Sequence, residues 1–156
     1  MKVVVARTAA QMDDALSVRR AVFIAEQGVL ESEEIDAYDG DPEHVTDAVH
    51  VVAYLDQRAM PTGRQAVATG RLLLDASAGE NVHIGRIAVL REQRRRGVGR
   101  AVMVALQGEA RRRGHRAVTV AAQLQAIPFY ASLGYVAYGD VFLDARIEHR
   151  LMDLSL

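Results

Sequence analysis

The chain has 156 residues, half of them hydrophobic and a quarter charged, with 19 basic residues against 20 acidic ones and a formal net charge of −1. That length reads as one domain over residues 1–156, with a core large enough to need no staples, and the near-neutral balance disfavours nucleic acid or an anionic membrane as a general partner. The lack of cysteine excludes a disulfide scaffold, a thiolate zinc site and a cysteine nucleophile, while the short apolar run in MKVVVARTAAQMDD and the absence of a bilayer-length segment predict a cytoplasmic protein.

Val3 and Val5 alternate in an opening strand. Thr8 then stands where a cap belongs, ahead of a helix whose apolar stripe is Met12, Ala15, Leu16 and Phe23 and whose end is expected at Gly28. Arg19 falls on that stripe, either as a snorkelling side chain with a structural partner or as a ligand for an acidic group. From Glu31 to Glu43 the chain carries seven carboxylates around Gly40 and Pro42, a loop or a short second helix. Val49, Val51, Ala53 and Leu55 alternate in a second strand, Pro61 to Gly63 make a turn, and a third strand covers about residues 66–74. With short connections these strands and the next make an antiparallel meander.

The stretch from Val82 to Ala101 is the most informative. Its apolar residues alternate on one phase at Val82 and Ile84 and on the other at Ile87 and Val89, so a one-residue slip falls near Gly85 and Arg86. Such a slip is a β-bulge, which frees main-chain groups from the ladder. Val98, Ala101, Val102, Ala105 and Leu106 then keep helical spacing, so a helix starts near Gly97. Three arginines precede it where Ser, Thr, Asp or Asn would cap it. Its first amides are left open, and open amides at the positive end of a helix dipole, beside glycines and guanidiniums, suit a phosphate or pyrophosphate. After Gly114, Val118, Val120 and Ala122 form a fifth strand, reached through a helical crossover and therefore parallel to the fourth. A helix ending at Gly134 and two strands, about 135–138 and 141–152, complete a mixed sheet.

The segment Arg94-Arg95-Arg96-Gly97-Val98-Gly99-Arg100-Ala101 resembles the Gln/Arg-x-x-Gly-x-Gly/Ala loop of the GNAT superfamily of acetyl-CoA-dependent N-acetyltransferases. A second anchor is Gln123, Ala126, Phe129, Tyr130, Leu133, Gly134 and Tyr135, which stand where the family often reads Asn-x-x-Ala-x-x-Phe-Tyr and then Leu-Gly-Phe or Leu-Gly-Tyr, with Gln123 departing from the usual asparagine. Arg19, Val22-Phe23 and Glu26-Gln27-Gly28 also resemble the first helix of its bacterial ElaA-like branch. The resemblance implies an α/β GNAT fold of six or seven mixed strands with helices on both faces, split between the fourth and fifth strands. It implies acetyl-CoA as co-substrate, no metal, and transfer of an acetyl or short acyl group to an unidentified amine by direct attack.

Residue by residue, it implies that the loop from Arg94 to Ala101 holds the pyrophosphate, that Ile87, Ala88 and Val89 bond the pantetheine arm and the acetyl carbonyl, and that Gln123 offers the pantetheine an amide. The acidic segment would wall the acceptor site, unless it is simply a solvated surface. Tyr130 is the candidate acid for the departing thiolate, with core packing as the alternative. His83, four residues before Ile87, stands where histone-acetylating members carry a glutamate base; the alternative is a solvent-facing strand histidine. His50, Glu26 and Glu34 are further candidates, as is a backbone carbonyl with water. A non-catalytic acyl-CoA-binding module remains a rival reading. Dimers are common in the family, but the sequence does not read one.

Overall fold

The computed structural model describes residues 1–156 as one seven-stranded sheet flanked by helices, with strand order β1-β2-β3-β4-β5-β7-β6. The strands are β1 (Lys2–Val5), β2 (Ala48–Asp56), β3 (Arg64–Leu73), β4 (Val82–Val89), β5 (Ala117–Gln123), β6 (Val136–Asp144) and β7 (Ile147–Ser155). The helices are α1 (Ala9–Arg19), α2 (Glu31–Glu34), α3 (Val98–Arg112) and α4 (Ile127–Ser132). Only β4 and β5 run parallel, as a helical crossover requires.

The alternation in β2 assigns the helices to opposite faces. Val49, Val51 and Ala53 pack with Val102 and Leu106 of α3, whereas Val52 and Tyr54 pack with Met12 and Ala15 of α1. Thr8 caps α1 in a reciprocal box with Gln11. Beyond Arg19 the helix widens into a seven-residue π-helical stretch, Arg20–Glu26, and ends before Gly28 at φ +74°. The wider turn shifts the phase of the stripe. Val22 is buried in place of the expected Phe23, which turns toward a cavity; ahead of the wider turn, Met12, Ala15 and Arg19 are buried on the expected stripe, and Val18 is buried where Leu16 is only half-buried.

The bulge lies where the phase slip put it. Arg71 pairs with Gly85 and Thr69 with Ala88, so Gly70 alone faces Arg86 and Ile87, and Arg86 takes φ +53°. A Cβ built on Gly70 would sit 2.5 Å from Ile87 Cδ1 and 2.8 Å from Leu106 Cδ1. Gly70→Ala is therefore expected to cost about 1–3 kcal/mol through overpacking, read as a lower denaturant midpoint with an unchanged slope.

The C-terminal hairpin differs from expectation. The sequence places a break near Gly139 and a long strand over 141–152; the chain instead turns at Ala145-Arg146, both left-handed at φ 48° and 66°. Gly139, at φ +74°, lies inside β6 at a register shift between Tyr138 and Phe142. Here the glycine marks a bulge, and the turn is made by residues that carry no turn signature.

Candidate active site

The pairing of β4 with β5 covers Val82, His83 and Ile84 opposite Val118, Thr119 and Val120 and then stops. Past the bulge, β4 continues along β3 alone, so its edge from Gly85 to Val89 is unpaired on the β5 side. A cavity of about 800 Å³ fills this opening and reaches both faces of the sheet. Toward the α3 face it is lined by Gly97, Gly99, Phe129, Tyr130 and Leu133; toward the α1 face by His83, Gly85, Ala121, Gln123 and His149, with Glu33, Glu34, Arg71 and Arg86 beyond. After the roles expected of them from the sequence, the first group is hereafter called the donor end and the second the acceptor end.

At the donor end, Gly97 is the N-cap of α3 with φ +80°, and no side chain caps the helix. Its first amides have no intrahelical acceptor, an arrangement that suits an anion. Arg95 and Arg100 line the cavity beside it, whereas Arg96 is exposed away from it. Arg94 lines the cavity too, but its guanidinium is engaged: Nη1 and Nη2 donate to Glu26 at 2.8 and 2.7 Å, and Nε donates to the Val89 carbonyl at 3.0 Å. That fork holds the Glu26 carboxyl below its ordinary range. It fastens the loop to the end of the first helix, which suits neither Arg94 to grip a phosphate nor Glu26 to act as a base.

Ile87 and Val89 line the cavity, but Ala88 lies under Val18 and Val22 on the α1 face, so only its backbone can serve a ligand. Val98 is core, and Ala101 lies one turn into α3, away from the lining. Gln123 does not stand free, because its Nε2 donates to Gln27 Oε1 at 2.9 Å. That bond joins the end of the first helix to β5 across the opening. Nothing in the sequence signals it, since the partners are 96 residues apart.

Tyr130 is 8% exposed, edge-on to Phe129 and Tyr135, and its hydroxyl has no protein hydrogen-bond partner. Burial pushes that hydroxyl well above the ordinary phenol value, so it stays a proton donor.

At the acceptor end, Glu33 and Glu34 of the acidic segment line the cavity, and the carboxylates from Glu31 to Asp39 are paired with arginines. Arg19, 1% exposed, donates to Glu34 Oε1 at 2.8 Å, to Asp39 Oδ1 and Oδ2 at 2.6 and 3.0 Å, and to the Glu34 carbonyl at 2.6 Å. It is a buried arginine with structural partners; its head does not snorkel to water. Arg71 forks onto Asp36 at 2.8 Å, and Arg86 reaches Glu34 at 3.2 Å. Burial raises the Glu34 carboxyl, opposed by Arg86 and Arg19, whereas Asp39 is held far below its ordinary range because its bonds to Arg19 outweigh its burial. His50 lies behind this network, Nε2 2.9 Å from the Tyr38 carbonyl, and it does not line the cavity. His83 does line it, exposed and with neither ring nitrogen bonded.

His149 is the group the sequence reading missed. It is 8% exposed, lines the cavity, and pairs in register with Gln123. Reading 141–152 as one strand hid the turn that sets its place. An alternating pattern restarted after Arg146 would have put it on the face of Gln123.

The comparisons with known proteins agree with this geometry. The family model described as an acetyltransferase (GNAT) domain matches residues 51–156. The uncharacterized N-acetyltransferase YjcF of Bacillus subtilis is 37% identical over 97% of this chain and 98% of its own length. Among solved structures, an acyl-CoA N-acyltransferase from Pseudomonas aeruginosa superposes with a TM-score of 0.78 at 27% identity, covering 98% of this chain and 99% of that one. Escherichia coli ElaA superposes with a TM-score of 0.78 at 24% identity over 98% of this chain and 99% of its own, a likeness of fold. The chain belongs to the GNAT acetyltransferase family and is an acyltransferase.

Proposed function

We propose that the protein moves an acetyl or short acyl group from acyl-CoA to a primary amine by direct attack in a ternary complex. The observation that carries this is one cavity running through the sheet from an uncapped helix N-terminus to a second, chemically different opening. Two substrates entering from opposite faces meet at the unpaired edge of β4, where positioning supplies much of the acceleration. The amides of Val98, Gly99 and Arg100 would hold the pyrophosphate with Arg95 and Arg100 nearby, and the free edge at Ile87 to Val89 would bond the pantetheine arm and stabilise the oxyanion. Tyr130 faces the donor end as a buried, un-ionised phenol suited to protonate the thiolate. The acceptor's ammonium loses its proton at the acceptor end, where both His83 and His149 line the cavity.

Calorimetry with acetyl-CoA tests the donor end. Gly97 has no heavy atom within 4 Å of a built Cβ but requires φ +80°. Gly97→Val should thus fold yet distort the anion turn, weakening acetyl-CoA at least about tenfold, some 1.4 kcal/mol. Unchanged affinity would remove the turn from the site. Release of free thiol with a panel of amines tests the transfer itself.

A further inference from the structure

We infer that His149 is the base that takes the acceptor's proton, at its Nε2. This rests on the acyl-transfer reading above and adds to it a residue and a tautomer. The Nδ1 of His149 lies 2.7 Å from the Ile147 carbonyl. A carbonyl only accepts, so Nδ1 carries the hydrogen, and the lone pair of the neutral ring is on Nε2. The ring is stacked on Phe142 with centroids 5.8 Å apart and planes at 22°, which fixes the direction of that lone pair. Nε2 has no partner in the protein, and the residue lines the cavity. On taking a proton, the ring keeps its Nδ1 bond, which becomes charge-assisted. His83 shares the acceptor end, but nothing fixes its tautomer or the direction of its ring: it is exposed, unstacked and unbonded.

The charged groups facing the same space bear on the proton. From α2 come Glu33, paired with Arg146, and Glu34, paired with Arg19 and Arg86; β3 supplies Arg71, paired with Asp36 and Asp39. From β4 come His83 and Arg86, from β6 Asp144, and β5 presents only Ala121 and Gln123. Asp144 is the one carboxylate of the lining without a cationic partner, so it leaves a negative charge for an incoming ammonium.

The ammonium gives one proton to Nε2, and the free amine attacks the thioester carbon, forming C–N. The C–S bond breaks, Tyr130 gives its hydroxyl proton to the departing thiolate and regains one from the surplus proton of the nitrogen, and the imidazolium later releases its proton to water. One ammonium and one thioester yield an amide, a free thiol and one proton.

Two measurements test this. Nitrogen-15 NMR of the intact protein, recorded where the ring is neutral and with His149 assigned through its contacts to Phe142, should show the hydrogen on Nδ1; a hydrogen on Nε2 would overturn the assignment, and this readout needs no active enzyme. With acetyl-CoA and 2-phenylethylamine as probe, His149→Gln should lose the imidazole limb of the pH–rate profile and fall about a hundredfold in kcat/KM, with acetyl-CoA affinity by calorimetry intact, while His83→Ala keeps the limb. An unaltered limb in His149→Gln, or its loss in His83→Ala, would overturn it too. If His149→Gln does not fold, or the probe amine is not turned over, the tautomer decides. If the parent chain does not bind acetyl-CoA at all, the acyl-transfer reading fails instead.

Discussion

Asp39→Ala is expected to destabilise the protein by about 3–5 kcal/mol, because it strands a buried cation. Arg19 is 1% exposed and gives two of its hydrogen bonds to Asp39; without them its guanidinium retains Glu34 but loses half of its compensation. The same carboxylate accepts the Asp36 amide at 2.9 Å, closing a cap on the turn that follows α2. A double change, Arg19→Met with Asp39→Leu, should recover part of the loss, since what is penalised is the unpaired charge. The pH dependence has a definite sign. Asp39 is depressed below 3.8, so its contribution is present above that pH and lost as the pH falls toward its folded value. Glu34, shifted the other way by burial, opposes this by a smaller amount. Denaturation midpoints from pH 7 downward should therefore fall more steeply for the parent than for Asp39→Ala. Parallel curves would show that the ion network does not hold this wall of the cavity.

That network also marks where the sequence stopped being legible. The bulge could be read because it shifts the phase of an apolar alternation at Gly85 and Arg86, and the anion turn because Gly97 follows three arginines where a cap belongs. Both the bulge and the uncapped glycine turn are local patterns; that the turn holds an anion is the proposal made above. The pairing of Arg19 with Glu34 and Asp39, of Arg71 with Asp36, and of Arg94 with Glu26 joins residues 15 to 68 positions apart, and charge spacing along the chain has no access to it. For the same reason the acidic segment read equally well as solvated surface or as a wall of the acceptor site; two of its carboxylates, Glu33 and Glu34, line the cavity, paired with Arg146, Arg19 and Arg86. The π-helical stretch after Arg19 moved Phe23 off the expected stripe, since a period of 3.6 does not anticipate a wider turn. The last hairpin was misplaced because Ala145 and Arg146 adopt left-handed conformations usually left to glycine and asparagine.

Tyr130→Phe is expected to lower kcat about ten- to a hundredfold or more while leaving acetyl-CoA affinity and melting temperature nearly unchanged. The ring is what packs: it stands edge-on to Phe129 at 5.0 Å and to Tyr135 at 5.7 Å, and phenylalanine keeps both contacts. The hydroxyl is what remains unexplained by packing. Tyr135, its neighbour, has its oxygen satisfied by Gln107 Nε2 at 2.9 Å, whereas the Tyr130 hydroxyl has no protein partner and the residue lines the donor end of the cavity. A polar group kept that way gains nothing for the fold, and deleting it leaves no broken hydrogen bond behind. In the proposed reaction it would have a use. Collapse of the tetrahedral intermediate would put negative charge on sulfur in a space walled by Phe129 and Leu133, where water stabilises it poorly and a phenol within reach can donate its proton. Burial keeps that proton in place at neutral pH. Loss should therefore appear in kcat with little change in the binding of acetyl-CoA, the pattern of an interaction made in the transition state. A phenylalanine variant that turns over at the parental rate would return Tyr130 to the core, and protonation of the thiolate would then fall to water at the mouth of the donor end.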